Sequence, residues 1–150
     1  MEDLPAMPPP LDSKLDTFTV RDFAGEGLLC AGKDFNDLES LWIRDCPNLR
    51  MISFREGLKK LKTLIIGNCP KLKVLPERLG MSGSLSSITI TDCKSFCIFP
   101  QNMDQLQSLE TLVLRNCPSL TILPDAIQQL QNLTSLSIEN IEPEALKNVG

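Results

Sequence analysis

The chain has 150 residues, a length typical of one domain, and 42% of them are apolar, which is enough to form a core. Its net charge of −4 argues against nucleic-acid binding, which normally needs a basic surface, and its lack of histidine removes the usual general base and the commonest metal ligand. No apolar run approaches the roughly 20 residues that a membrane-spanning helix needs.

The first segment, residues 1–14, carries no repeat and is rich in proline. Pro5 and Pro8-Pro9-Pro10 lack backbone donors and favour an extended conformation. The segment has neither the positive start nor the apolar stretch of a secretory signal, so we expect a cytoplasmic protein. We predict a partly ordered, proline-rich N-terminal lead.

From residue 15 onward, one pattern recurs: an apolar residue, two variable positions, a second apolar residue, one variable position and a third apolar residue. The six repeats start at 15, 38, 61, 85, 109 and 133 and fill residues 15–141, followed by a short C-terminal tail, 142–150. A fixed period of 23 or 24 residues with this spacing indicates leucine-rich repeats, which stack into a solenoid.

Each repeat contains a short segment in which apolar residues alternate with outward positions, as in Leu41-Trp42-Ile43 and Leu112-Val113-Leu114. This period of two predicts a strand, and stacked repeats place such strands side by side in parallel. We therefore predict an α/β leucine-rich-repeat solenoid (a horseshoe), with a curved parallel β-sheet on the concave face and turns and short helices on the convex face. The expected core includes Leu64, Ile66, Leu72, Leu75, Leu112, Leu114, Leu120 and Leu123.

Four of the six cysteines follow the predicted strands at equivalent places: Cys46, Cys69, Cys93 and Cys117. A thiol is small, apolar and a weak donor, so we expect these side chains to point inward, reduced, beneath the turns. Cys30 and Cys97 are expected to be exposed. Because a zinc site needs four ligands and Cys97 lacks a nearby base, we predict no metal, no cofactor and no catalytic residue.

A second theme follows three of the turns, in which an apolar residue and a proline open the return segment, as in Leu120-x-x-Leu123-Pro124-x-x-Ile127; the repeat that starts at 38 has Ile52-Ser53 there and lacks the proline. With the preceding Leu112-Val113-Leu114-Arg115-Asn116-Cys117-Pro118, this phrase resembles the repeats of plant intracellular nucleotide-binding leucine-rich-repeat (NB-LRR) disease-resistance proteins. The resemblance covers roughly residues 38–140. No Gly-x-x-x-x-Gly-Lys-Ser/Thr phosphate loop is present, so the nucleotide switch of that family is not carried over.

The resemblance implies a non-enzymatic protein–protein interaction module in plant defence, which senses a ligand and holds a receptor inactive. Its implied partners are proteins: a pathogen effector, a guarded host protein or a receptor domain. We expect no nucleic-acid, membrane or small-molecule substrate partner.

The candidate contact residues face outward on the concave sheet: Trp42, Arg44, Ile65, Val113 and Arg115. Trp42 and Ile65 fall at the same place in adjacent repeats and are expected to touch. A tryptophan beside an aliphatic side chain and an arginine has the composition of an interface hot spot. Arg44 and Arg115 have the geometry to pair with carboxylates of a partner, whereas the Ser and Thr positions of the same strands are interpreted as filler.

Two other functions remain open at this point. A substrate adaptor of a ubiquitin ligase uses similar cysteine-bearing repeats, but it needs a helical module ahead of them, which 14 proline-rich residues do not supply. A stand-alone repeat scaffold or decoy that regulates a full receptor would use the open ends of the solenoid.

Overall fold

The computed structural model of the protein describes residues 16–30, 35, 37–54, 58–120 and 125–141. The predicted lead 1–14, the tail 142–150 and Leu123 lie outside these residues. A six-stranded parallel sheet is the main element, and its strands follow one another in chain order. They are β1 (Thr17–Arg21), β3 (Ser40–Arg44), β5 (Thr63–Gly67), β6 (Ser87–Thr91), β7 (Thr111–Cys117) and β8 (Ser135–Ile141). A separate parallel pair is formed by β2 (Gly27–Cys30) and β4 (Met51–Phe54).

The register of the main sheet follows the sequence period. Equivalent first positions lie opposite one another along the whole sheet, in the order Thr17, Ser40, Thr63, Ser87, Thr111 and Ser135. Each winding of the chain therefore advances 23 or 24 residues and places the same position on the next strand. This confirms the leucine-rich-repeat solenoid.

The core lies behind the main sheet, because apolar residues alternate with outward positions along each strand. Leu64, Ile66, Leu112 and Leu114 are completely buried. Leu72, Leu75 and Leu120 are buried beneath the segments that return from one strand to the next. The predicted core is thus confirmed for each of its members that the structure describes.

Short helices occupy the return segments, as predicted. In the described part of the chain they include the 3₁₀-helices η1 (Glu77–Met81), η2 (Met103–Gln105) and η3 (Asp125–Gln129). The helix η1 begins directly after Pro76, whose missing N–H is not needed at a helix start.

The β2–β4 pair was not predicted from the sequence. Its physical basis is the absence of proline, since Ser53 of β4 occupies the place that Pro76 takes in the next repeat and keeps its N–H for the ladder. Where proline is present in the return segment, the corresponding pairing is a single bridge, Val74 with Ile98. The second sheet therefore covers only the early, proline-free repeats.

The turns after the main strands share one backbone conformation. Their residues have φ between 52° and 58° although none is glycine: Asp22, Asp45, Asn68, Asp92, Asn116 and Asn140. Asn and Asp tolerate this left-handed region better than other side chains do, which explains why the sequence has only these two types there.

All six thiols are free, and the four repeat cysteines are fully buried. Each repeat thiol donates to the carbonyl two residues earlier, for example Cys46 Sγ to Arg44 O at 3.3 Å and Cys93 Sγ to Thr91 O at 3.4 Å. The expected exposure of Cys30 was wrong. Cys30 ends β2 with its side chain in the core, and burial raises the pKa of its thiol to about 12. Cys97 is half-buried.

Candidate functional site

The face of the main sheet opposite the core, which we call the open face, has three outward positions on each strand. On β3 these are Ser40, Trp42 and Arg44, which are all half-buried while Leu41 and Ile43 between them are completely buried. The same alternation holds on β5, β6 and the first part of β7. The open face is therefore a regular array of side chains on a rigid backbone.

Trp42 is held in position by its two neighbours on the same strand. Its indole Nε1 donates a 2.8 Å hydrogen bond to Ser40 Oγ. The guanidinium carbon of Arg44 lies 4.8 Å from the centre of the Trp42 ring, which is a cation–π distance. Both contacts fix the ring before a partner binds. Packing of a partner on Trp42 therefore costs little conformational entropy of this side chain.

The five candidate residues all lie on the open face, in two groups. Trp42 and Arg44 on β3 form one group with Ile65 on β5, and Trp42 and Ile65 are directly opposed in the sheet register. Val113 and Arg115 lie on β7, and the intervening strand β6 separates them from the first group. The structure thus joins three of the residues into one patch and sets the other two apart.

The arginines of the open face differ in their partners. Arg21 Nε lies 3.9 Å from Asp45 Oδ2, and Arg115 Nε lies 3.5 Å from Glu139 Oε2. Within the described part of the chain, Arg44 has no carboxylate within 4.0 Å, and its Nε is buried without a hydrogen-bond partner. These two exposed ion pairs contribute little to stability because water screens them. They do mean that two of the three arginines of the open face already lie beside a carboxylate.

Two residues of this surface were not recognised from the sequence. Ser40 was interpreted as filler, although it accepts the indole hydrogen bond; its position two residues before Trp42 on a strand was the available signal. Gly67 stands in register with Arg44 on the β5 side, so that side of Arg44 has no neighbouring side chain, whereas Arg21 stands in register with it on the β1 side. The available signal was the repeat spacing, because Gly67 follows Arg44 by one repeat length of 23 residues.

A second surface lies at the edge of the sheet where the strands end. It is a groove of about 700 Å³. Its lining includes Asp45, Asn68, Asp92, Lys94, Asn116, Pro118 and Asn140. The amides bond to the preceding repeat, since Asn68 Nδ2 donates to Asp45 Oδ1 at 2.9 Å and Asn140 Nδ2 donates to Asn116 Oδ1 at 2.7 Å. These side chains satisfy one another and support the turns.

No group of three or more Cys, Asp or Glu side chains among the described residues is arranged to hold a metal ion. The described helices are also all too short to cross a membrane.

Comparison with known proteins agrees with this architecture. The family model described as Leucine Rich Repeat matches residues 108–130, which contain all of β7 and all of η3. A search of the curated proteins found no match. Proteins of the repeat family typically act as non-enzymatic modules that bind other proteins. The matched repeat and the parallel sheet together support a solenoid fold of the leucine-rich-repeat type.

Proposed function

We propose that this domain binds a protein partner through the open face, with Trp42 at the centre of the contact. The observation that carries the proposal is the patch of Trp42, Arg44 and Ile65. Aromatic and arginine side chains dominate interface energetics, and they do so most where they are already ordered. The Trp42 ring is fixed from one side by Ser40 and from the other by Arg44.

We further propose that the domain is the ligand-sensing or autoinhibitory repeat region of a plant NB-LRR immune receptor, or a close relative of such a region, acting in the cytoplasm. The support is the phrase Leu-x-Leu-x-Asn-Cys-Pro-x-Leu in the repeat that begins at Leu109. The six free thiols suit a reducing compartment. The partner would then be a pathogen effector, a guarded host protein or another domain of the receptor.

The binding proposal is tested by comparing proteins retained from plant leaf extract by immobilised wild type, Trp42→Ala and Met51→Ala. Met51 is the matched control, since it is a large apolar side chain, 56% exposed, on β4 of the separate two-stranded sheet. We expect one or more proteins to be retained by wild type and Met51→Ala and lost from Trp42→Ala. Equal retention by all three proteins would exclude the open face as the contact.

Folding of the variants is checked independently by far-UV circular dichroism and by denaturant midpoints. Trp42 is only half-buried and packs on the solvent side of the sheet, so we expect Trp42→Ala to keep nearly all of the stability.

The receptor relationship has its own test, the reading frame around this segment in the genome. An upstream nucleotide-binding domain is the expected result; a complete gene without one would remove the receptor assignment and leave the binding module.

A further inference from the structure

The three cations of the open face differ in availability, and this difference indicates the chemistry of a partner. Arg21 and Arg115 each lie beside a carboxylate of the chain itself, Asp45 and Glu139. Arg44 instead stacks on Trp42 and has no carboxylate within 4.0 Å among the described residues. Its guanidinium is thus held in place by an aromatic ring and makes no hydrogen bond to any described residue.

Beside Arg44 the sheet has a notch. Gly67 lies opposite Arg44 on one side and opposite Thr91 on the other. A Cβ atom placed on Gly67 would be 3.8 Å from Arg44 Cγ and 3.3 Å from Thr91 Oγ1, so these two side chains form the walls of the notch. The hydroxyl of Thr91 makes no hydrogen bond to any described residue, which leaves it free to donate to a ligand. One fork-shaped cation and one hydroxyl therefore converge on an unfilled space.

The adjacent surface along the same two strands is apolar. Trp42 and Ile65 stand in register two positions before Arg44 and Gly67. Successive side chains on one face of a strand are about 7 Å apart, and an extended peptide has the same spacing. A partner segment lying along β3 would place one side chain in the notch and the next side chain of that face on the apolar pair.

We infer that Arg44, Gly67 and Thr91 form a receptor for the side-chain carboxylate of an Asp or Glu in an extended partner segment, with an apolar residue two positions away packing on Trp42 and Ile65. The inference rests on the proposed binding function and names the chemistry of its ligand. Arginine pairs with a carboxylate through two parallel hydrogen bonds, which supplies both strength and direction. An Asp or Glu side chain suits the notch better than a chain terminus does, because alternate side chains of an extended segment project toward the sheet at the spacing between the notch and the apolar pair, whereas a terminal carboxylate lies along the backbone.

The test is an NMR titration of the full ¹⁵N-labelled chain with blocked tripeptides. The probes are acetyl-Leu-Gly-Asp-amide and acetyl-Asp-Gly-Leu-amide, which cover both chain directions, and their Asn counterparts as neutral controls. The reporters are the indole N–H of Trp42, the single tryptophan of the chain, and the Nε–H of Arg44. We expect saturable shifts of both signals with at least one Asp peptide, and binding of its Asn counterpart weaker by about tenfold or more.

Three variants test which residues bind the Asp peptide. Arg44→Gln removes the cation, and Gly67→Ala fills the notch while leaving the cation in place. Both changes are expected to weaken binding of the Asp peptide by about tenfold. Arg115→Gln is the matched control, because Arg115 has the same strand position but already faces Glu139. It is expected to bind the Asp peptide as wild type does. The comparison of Asp and Asn peptides uses the wild-type chain, so it remains decisive even if a variant fails to fold.

Several results would overturn the inference. These are equal binding of the Asp and Asn peptides, no saturable shift with either Asp peptide, or equal losses in Arg44→Gln and Arg115→Gln. Tighter binding of acetyl-Leu-Gly-Gly with a free carboxyl end would identify a chain terminus as the ligand instead. If the peptides fail while Trp42→Ala still loses its partner from extract, the carboxylate assignment is wrong and the proposed function stands.

Discussion

Asn116 and Asp92 are linked across two repeats by a 2.8 Å hydrogen bond from Asn116 Nδ2 to Asp92 Oδ1, and both have φ near +55°. Each residue thus does two things at once. Its backbone adopts the left-handed conformation that turns the chain away from the sheet, and its side chain bonds to the equivalent turn of the neighbouring repeat. Asn140 continues the arrangement by donating to Asn116 Oδ1 at 2.7 Å.

This relationship predicts different effects of two substitutions at Asn116. Asn116→Gly loses the side-chain bonds but keeps a residue that enters the left-handed region freely. Asn116→Ala loses the same bonds and adds a backbone penalty of about 1–2 kcal/mol. Chemical denaturation should therefore rank Asn116→Ala below Asn116→Gly in unfolding free energy. The reverse order would contradict the left-handed backbone conformation of Asn116.

The burial of Leu114 predicts a large loss of stability when its side chain is truncated. It is completely buried on β7, between Ile90 and Ile138 of the neighbouring strands. Leu114→Ala is expected to lower the unfolding free energy by about 2–5 kcal/mol, because the stacked repeats cannot close around the cavity. Val113→Ala, one residue away on the open face, is the control and is expected to lose much less. A loss below about 0.5 kcal/mol for Leu114→Ala would contradict the register.

Two glycines on the return segments give a paired prediction. A Cβ on Gly80 would lie 2.5 Å from the carbonyl oxygen of Asn102, a backbone atom that cannot move aside, whereas a Cβ on Gly83 would meet nothing within 4 Å. Gly80→Ala should therefore destabilise the domain by about 1–3 kcal/mol through overpacking. Gly83→Ala should be neutral or slightly stabilising, since it only restricts the unfolded chain. Equal effects of the two changes in thermal unfolding would contradict this packing.

Cys30 predicts a loss of stability in alkali. Burial raises the pKa of its thiol from an ordinary value of 9.0 to about 12, so above pH 9 the unfolded chain releases this proton first. Its contribution is therefore complete below pH 9 and is lost as the pH rises toward about 12. The unfolding free energy of wild type should fall more steeply over this interval than that of Cys30→Ala. Parallel pH profiles for the two proteins would refute the burial of the thiol.

Most of the fold could be predicted from the spacing of the repeats. Because the same apolar positions recur every 23 or 24 residues, the strands, their parallel order and core residues such as Leu64 and Leu112 follow from the sequence. The β2–β4 pair could not be predicted in this way, since it depends on a neighbouring repeat retaining the N–H of Ser53. The burial of Cys30 was missed for the same reason.

The candidate surface likewise has features that the sequence predicts and contacts that it does not. The outward direction of Trp42, Arg44, Ile65, Val113 and Arg115 follows from strand alternation, which is a local property of the chain. Which arginine is paired and which is free depends on residues one repeat away: Asp45 beside Arg21, Glu139 beside Arg115, and Gly67 beside Arg44. The sequence by itself determined the solenoid and the direction of its side chains, because both arise from periodicity. Only the tertiary structure decided the partners of those side chains, because contact between repeats depends on register and on the shapes that meet there.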